Sequence, residues 1–189
     1  MLAVSDEQLI QWVADGDPSC LGTLFERHHR SAFQYFRTLI RNNAASEDLV
    51  QDLFMKLLKN AASFRGQGSF KSWMFCIARN VAFDYLRKSK RRGDLDDHGD
   101  VDSDLIVDPQ ATEKTVAHKQ HLHLVAKALA LIPEAAREII WLGRFEFDNY
   151  EDLGTALECS AGAARVRMHR AMQQLNNTLI ELTGAPIDV

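Results

Sequence analysis

Apolar residues recur at intervals of three and four along most of the chain, the spacing that is typical of amphipathic α-helices. In the first half this pattern predicts four helices, which run from Ser5 to Gly16, from Pro18 to about Arg41, from near Ser46 past Leu57 and from the loop after Phe64 to about Arg92. A capping box at Ser5, a proline at a first helical position and a capping serine at Ser46 support these starts. The first helix is expected to bury Leu9, Ile10, Trp12 and Val13.

The second half is also predicted to be helical. An apolar stripe from Leu122 ends at Pro133, and a second helix covers residues 134–142. Asp148 or Asn149 is expected to cap a short helix through Leu157, and a brief turn leads to a final helix ending near Leu182. Two helices joined by so short a turn fit a helix-turn-helix, although any tight helical pair would look alike.

An acidic segment separates the two halves. Residues 93–113 contain eight acidic side chains and no lysine or arginine, which gives a charge of -8. The segment has little apolar periodicity and includes Asp108-Pro109, so an extended or disordered linker is predicted. The sequence therefore predicts an all-α protein with two small domains, at residues 1–92 and 117–183, joined by an acidic flexible linker at 93–116.

Positive charge is concentrated at two places in a chain whose net charge is -4. Between Phe64 and Arg92, eight basic residues stand against Asp84 alone, a charge of +7. The final helix carries a second cluster, with no acid before Glu181. Each cluster could be a solvated helix face, since cations at a helix C-terminus are favourable in any case. Two clusters, one of them on a recognition helix, favour a protein that binds DNA at two sites.

The remaining composition narrows the function further. The chain has no run of 18 apolar residues and no signal-peptide pattern, and Cys20, Cys76 and Cys159 are far apart, so a cytoplasmic protein without membrane insertion is expected. His118 and His121 could share a helix face, but His123 is rotated away and no cysteine lies nearby in sequence. No metal, cofactor or catalytic residue is expected, because no nucleophile–base pair or glycine-rich phosphate loop is visible.

Two groups of motifs resemble one known family. Residues 47–54, Glu-Asp-Leu-Val-Gln-Asp-Leu-Phe, and residues 73–80 with Asp84 and Arg87 resemble the amino-terminal domain of extracytoplasmic-function (ECF) sigma factors of the sigma-70 family. Leu131-Ile132-Pro133-Glu134 with Arg137, and residues 160–171 followed by Leu175, resemble the carboxy-terminal helix-turn-helix domain. The resemblance covers nearly the whole chain apart from the linker and the tail. It implies a four-helix sigma domain followed by a helix-turn-helix domain.

The resemblance also implies partners. The outer face of the third helix would bind the clamp of the largest subunit of core RNA polymerase, and the polymerase-binding residues would be Asp48, Gln51, Asp52 and Phe54. The carboxy-terminal domain would bind the flap of the second subunit. Acids at 47 and 48 could alternatively serve only the helix dipole, which explains Asp52 less readily. An anti-sigma factor is a further expected partner, and the linker could either mimic RNA in the polymerase cleft or only separate the domains.

Promoter DNA is the other implied partner. A loop would hold a base flipped from the -10 element and the helix after it would bind base edges and phosphates, through Phe64, Arg65, Gly66, Gln67, Gly68, Ser69, Arg79, Asn80, Asp84, Arg87, Lys88 and Arg91. Two structural alternatives stay open. The glycines could simply close a helix–helix turn above core phenylalanines, and Asn80, Asp84 and Arg87 could form a structural cluster.

The -35 element would be read by the final helix, through Ser160, Ala163, Arg165, Arg167, His169 and Arg170. Three departures from the family pattern bear on the strength of this contact. A hydroxyl is lost before Arg165, a bulky Glu158 occupies the turn position of a glycine, and Gly154 is expected to weaken its helix by about 0.5–1 kcal/mol. The predicted function is that of a sigma factor; the alternative is a stand-alone helix-turn-helix regulator.

Overall fold

The computed structural model describes residues 4–66, 68–93 and 116–184, with side chains from residue 122 onward in the last range. All regular secondary structure in these ranges is helical, which confirms the all-α prediction. The eight α-helices there are α1 (Asp6–Ala14), α2 (Cys20–Ile40), α3 (Asn43–Asn60), α4 (Phe70–Arg92), α5 (Val116–Leu131), α6 (Glu134–Trp141), α7 (Tyr150–Ala156) and α8 (Ala161–Thr183). A 3-10 turn (Ala61–Ser63) follows α3 and a π-helical turn (Leu142–Glu146) follows α6.

Side-chain caps define several helix starts, two of them at predicted residues. Ser5 and Gln8 form the expected reciprocal capping box of α1. Asn149 caps α7 and Ser160 caps α8, each accepting a hydrogen bond from a backbone N–H three residues later. Residues 94–115, where the acidic linker is expected, lie outside the described residues.

Two predicted starts were wrong. The second helix begins at Cys20 rather than Pro18, because Asp17 accepts hydrogen bonds from the backbone and hydroxyl of Ser19 and holds these residues in a turn. The third begins at Asn43 rather than near Ser46, because the side chain of Asn42 takes the capping role. Ser46 is instead fully buried, and its hydroxyl donates to the carbonyl of Asn42 at 2.7 Å.

The first helix buries a narrower stripe than the sequence predicts. Leu9, Ile10 and Val13 are buried, as expected. Trp12 is 45% exposed, because it lies about 60° outside the arc that these three residues cover on the helical wheel and turns toward solvent.

The two halves of the chain share one hydrophobic core. Tyr35 of α2 and Phe75 of α4 are fully buried, with ring centroids 5.3 Å apart. From the second half, Trp141 lies 5.7 Å from Tyr35, and Phe147 lies 5.8 Å from Phe75. Such aromatic pairs contribute about 0.5–1.5 kcal/mol each beyond the area they bury. The halves are therefore packed together in this arrangement, which we call the closed arrangement.

No helix in the described ranges is long and apolar enough to cross a membrane.

A carboxylate ties α1 to α2. Asp6 accepts hydrogen bonds from Arg27 at 2.6 Å and lies 2.6 Å from Nε2 of His28. Burial on its own would raise the pKa of Asp6, but the hydrogen bonds from Arg27 and His28 outweigh it and hold the pKa below its usual value. The ionised form is thus the one that stabilises the fold.

Replacing Asp6 with asparagine is expected to lower the free energy of unfolding by about 1 kcal/mol at pH 6, since charge-assisted hydrogen bonds are lost at a partly exposed site. Because the folded pKa is lowered, this contribution is present above the ordinary value of 3.8 and is lost as the pH falls through the lowered pKa. Chemical denaturation across this pH range should show that the free energies of unfolding of the wild type and of Asp6→Asn become equal in acid. The exposed Glu26→Gln variant should not show this pH-dependent loss of stability. An equal difference in the free energy of unfolding between wild type and Asp6→Asn at pH 6 and at pH 2 would contradict the prediction.

The turn before α8 depends on a glycine. A Cβ added at Gly154 would lie 2.7 Å from the carbonyl oxygen of Cys159 and 3.2 Å from the backbone of Ser160. The expected cost of glycine here leaves out this close contact, because the missing side chain lets the turn pack on α7. Glu158 has a φ of +53°, so the turn uses the left-handed conformation without the glycine that favours it.

Gly154→Ala is expected to destabilise the protein by about 1–3 kcal/mol, because the clashing atoms belong to backbone and cannot move aside cheaply. The matched control is Gly162→Ala in α8, where an added Cβ meets nothing within 4 Å. That variant should be neutral or stabilised by up to about 1 kcal/mol. Thermal unfolding of both variants checks the pair, and a Gly154→Ala protein as stable as wild type would show that the turn does not need the glycine.

Candidate functional site

One face of α3 is open to solvent. Asp48, Gln51 and Asp52 are exposed there, as predicted for a protein-binding face. Phe54 is not part of it: this residue is 6% exposed and its ring packs edge-on against Phe25 at 4.9 Å. Its assignment to the polymerase-binding face was wrong, because position 54 falls on the core side of the helix.

Met55 provides the apolar side chain that this face was expected to have. It is 52% exposed, and its position three residues after Asp52 and seven after Asp48 places it on the same side of α3. Helical spacing alone could have identified it. The exposed face defined by Asp48, Gln51, Asp52 and Met55 is called the α3 face below.

The loop before α4 needs its glycines. Gly66 and Gly68 have φ angles of +67° and +88°, a region that other residues rarely adopt. Arg65, Gly66 and Gly68 are exposed, whereas Gln67 lies outside the described residues. The backbone conformation fits both a tight turn and a loop that a base could approach closely.

The two phenylalanines of this loop belong to the core. Phe64 is 8% exposed and Phe70 is fully buried. The ring of Phe64 lies 5.4 Å from Trp73 and 6.4 Å from Phe70, so its faces are covered. Phe64 therefore supports the loop from below and presents no ring face to a base in this arrangement, which matches the structural alternative for the aromatics.

The outward side of α4 carries the remaining predicted DNA-binding groups. Asn80 is exposed, and its amide nitrogen donates to the carbonyl of Cys76 at 3.1 Å. Asp84 accepts a hydrogen bond from Arg87 at 2.9 Å, so the carboxylate orients the arginine. Lys88 and Arg91 are also exposed. This side of the helix leaves an amide and several cations available to a ligand.

The inward side of α4 is occupied by carboxylates from the second half of the chain. At its start, the hydroxyls of Ser69 and Ser72 donate to Asp152 at 3.1 and 2.9 Å. A hydrogen bond from Asn149 lowers the pKa of Asp152, burial opposes this, and the two serines lower it further. Next along the helix, Lys71 lies 2.6 Å from the carboxylate of Glu146.

Arg79 is held most completely. Its Nε lies 3.3 Å from Oε2 of Glu138 and its Nη1 lies 3.5 Å from Glu158. Glu138 is 1% exposed and also accepts a hydrogen bond from the buried hydroxyl of Tyr35 at 2.7 Å. Burial raises the pKa of Glu138, while the hydrogen bond from Tyr35 and the charge of Arg79 oppose the rise. Arg79, like Ser69, is therefore a predicted DNA-binding residue that is already paired within the closed arrangement.

These contacts form an acidic strip along α4. Its members all come from the second half of the chain and all contact basic or hydroxyl groups of α4: Glu134, Glu138, Glu146, Asp152 and Glu158. The sequence reasoning missed the strip because its carboxylates are spaced irregularly and face α4 only once the halves pack together.

The first turns of α8 are exposed. Arg165, Arg167, His169 and Arg170 all face solvent, and the guanidinium of Arg165 lies over the ring of Tyr150 at 5.1 Å. Ser160 caps the helix by accepting from the N–H of Ala163, a half-buried residue. The predicted -35 residues therefore lie together at one helix start, as a recognition helix requires.

Of the three histidines considered as metal ligands, the structure describes the side chain of one. The side chains of His118 and His121 lie outside the described residues, and His123 is exposed. All three cysteines are present as free thiols.

Comparison with known proteins matches this architecture to one family. Residues 24–92 match the domain described as Sigma-70 region 2. RNA polymerase sigma-H factor of Pseudomonas aeruginosa is 25% identical over 92% of this chain and 93% of its own length. ECF RNA polymerase sigma-E factor of Haemophilus influenzae is 27% identical over 93% and 96%, and RNA polymerase sigma factor CarQ of Myxococcus xanthus is 28% identical over 89% and 94%.

Solved structures agree with this result. The structure of CnrH in complex with the cytosolic domain of CnrY superposes with a TM-score of 0.68 at 22% identity, over 95% of this chain and 99% of that one. Sigma factor RpoE in complex with the anti-sigma factor NepR, from Bartonella quintana, gives a TM-score of 0.62 at 26% identity, over 86% and 97%.

The matched region, the relatives matched over nearly their full length and the helical order make this chain similar to sigma factors of the sigma-70 family. The Haemophilus influenzae relative, which the chain matches over nearly its whole length, is an ECF sigma factor. Sigma factors are transcription initiation factors and not enzymes.

Proposed function

We propose that the protein binds core RNA polymerase and directs it to promoters, contacting the -35 element with α8 and melting the -10 element with α4 and its preceding loop. The observation that carries this proposal is the separation of three exposed surfaces on one chain. These are the acidic α3 face, the basic outward side of α4 and the basic start of α8. A stand-alone regulator would have no use for the first of them.

Each surface has chemistry suited to its proposed partner. The carboxylates of Asp48 and Asp52 can accept hydrogen bonds from a basic clamp on the polymerase, with Met55 adding apolar contact. Asn80 can bond base edges, and Arg87, Lys88 and Arg91 can bind phosphates. Arg165, Arg167, His169 and Arg170 can do the same in a major groove.

The domain assignment follows from this division of labour. Residues 1–92 bind polymerase and the -10 element, residues 117–183 bind the -35 element and the polymerase flap, and residues 93–116 connect them. Such a protein works in the cytoplasm, beside the polymerase.

The closed arrangement sets a condition on -10 binding. Ser69 and Arg79 are already paired with Asp152 and Glu138, so these groups reach DNA only after the halves separate. We infer that free protein binds DNA poorly and that docking on polymerase supplies the energy for opening. An anti-sigma factor that prefers the closed arrangement would oppose this step, and the similar sigma factor RpoE of Bartonella quintana is bound to the anti-sigma factor NepR in its solved structure.

Reconstitution with core polymerase tests the proposal. Transcription from promoters selected out of a genomic library should depend on adding the protein, and the free protein should bind the same duplexes at least 10-fold more weakly than the holoenzyme. Tight duplex binding without polymerase, together with no transcription, would instead identify a stand-alone helix-turn-helix regulator.

A further inference from the structure

A cavity of about 610 Å³ lies where the two halves of the chain meet. Its walls come from the end of α2, the last turns of α4, the end of α5 and the start of α6. Apolar side chains form much of the lining, among them Leu39, Ile40, Leu86 and Ile132. The volume is within the range of about 300–1,000 Å³ that is usual for small-molecule sites.

Two arginines face this cavity from opposite halves. Arg41 follows α2 and Arg137 lies on α6, and both line the cavity. Nε of Arg41 and both Nε and Nη1 of Arg137 are buried, and none of these atoms has a hydrogen-bond partner among the residues that the structure describes. Arg137 is only 7% exposed. Buried guanidinium groups are normally paired, because leaving such donors without partners costs free energy.

The charges around the cavity do not balance. Burial lowers the pKa of Arg137 to about 10, Glu134 opposes the fall and the charge of Arg41 adds to it. Glu134 is the carboxylate in the lining, and it also lies 3.3 Å from Nζ of Lys90. Among the described residues of the lining, one carboxylate therefore stands against two guanidinium groups and is shared with Lys90, which leaves an excess of positive charge.

We propose that this cavity binds a small organic oxyanion, a phosphate or carboxylate attached to an apolar group. The oxyanion would accept hydrogen bonds from the guanidinium groups of Arg41 and Arg137, which both line the cavity. The apolar part would lie against Leu86 and Ile132. Because the two arginines belong to different halves, the bound anion bridges them and stabilises the closed arrangement.

Ligand-dependent thermal unfolding of the full chain tests the proposal. The probes are inorganic phosphate, phenyl phosphate and benzoate, each compared with sodium chloride at the same ionic strength. We expect phenyl phosphate or benzoate to raise the Tm in proportion to the logarithm of its concentration, and isothermal titration should give a single site. A response to phenyl phosphate alone would assign the site to phosphates, and one to benzoate alone to carboxylates.

Two variants separate a site from a general salt effect. Arg137→Met should raise the Tm without any probe, since it removes an unpaired buried charge, and should abolish the response. Arg41→Asn, which tolerates the φ of +61° at that position, should weaken binding at least 10-fold. The control is Lys127→Met on the exposed side of α5, which should respond like wild type.

The proposal is overturned if wild type responds to none of the three probes at millimolar concentration. It is equally overturned if Arg137→Met and wild type respond alike. These measurements use free protein, so their failure would leave the sigma-factor proposal untouched.

Discussion

A variant with alanine at Asp48, Gln51 and Asp52 is expected to lose at least 10-fold in affinity for core RNA polymerase while keeping the fold of the wild type. All three side chains are exposed on the α3 face, so their removal should change the free energy of unfolding by no more than about 0.5 kcal/mol each. Truncating one partner of a buried, hydrogen-bonded charge pair at an interface costs about 2–5 kcal/mol, and each 1.4 kcal/mol is about tenfold in affinity. Holoenzyme formation, measured by titrating labelled protein with core polymerase, checks the loss.

Single variants at Met55 and Glu181 provide a further test and a control for this experiment. Met55→Ala alone should also weaken polymerase binding, because the structure puts this apolar side chain beside the acids. Glu181→Ala removes an exposed carboxylate from the far end of α8 and should bind as wild type does. If the triple variant bound core polymerase with full affinity, the α3 face would not be part of the polymerase interface.

The difference between Phe54 and Met55 shows where sequence reasoning loses precision. A motif places functional residues within a few positions, but a shift of one position turns a side chain by 100° around a helix. Asp48, Gln51 and Asp52 tolerate that uncertainty because they are polar and lie near one another. The apolar position does not tolerate it, because whether Phe54 or Met55 is buried depends on the packing of α2, whose Phe25 contacts Phe54.

Local signals were reliable where the chemistry is local. The capping box at Ser5 and the cap at Asn149 depend on atoms three residues apart, so the sequence predicts them directly. The predicted start of α3 was wrong because Asn42 and Ser46 are both suitable caps, and only the packing of the helix shows that Ser46 is the buried one. The packing role of Gly154 was missed for the same kind of reason, since it depends on the backbone of the turn that folds over this residue.

The acidic strip along α4 is beyond what the sequence could predict. Arg79 and Glu138 are 59 residues apart, and Ser69 and Asp152 are 83 apart. No periodicity connects them, and each acid alone looks like part of a solvated helix face. The strip follows only from the shared aromatic core that brings α4 against α6 and α7.

Glu138 is the member of the strip whose loss should have the largest effect. In a Glu138→Ala variant the hydroxyl of Tyr35 and the Nε of Arg79 lose their shared partner at a buried site. Removing one partner of such a network costs about 2–4 kcal/mol, less than for a fully buried pair because Arg79 is partly exposed. This cost falls on the closed arrangement, in which the halves are packed.

The variant is therefore expected to bind DNA better as the free protein, by at least 10-fold, because Arg79 and its neighbours on α4 become available. Fluorescence anisotropy with a random pool of single-stranded oligonucleotides at fixed salt measures the gain without requiring the promoter sequence. Glu151→Ala is the matched control: it removes the same charge from an exposed position on α7. A general electrostatic effect would raise both affinities alike, and in that case Glu138 would not be what keeps α4 from DNA. A gain confined to Glu138→Ala would mean that the same packing that completes the core also withholds the -10 surface until polymerase opens it.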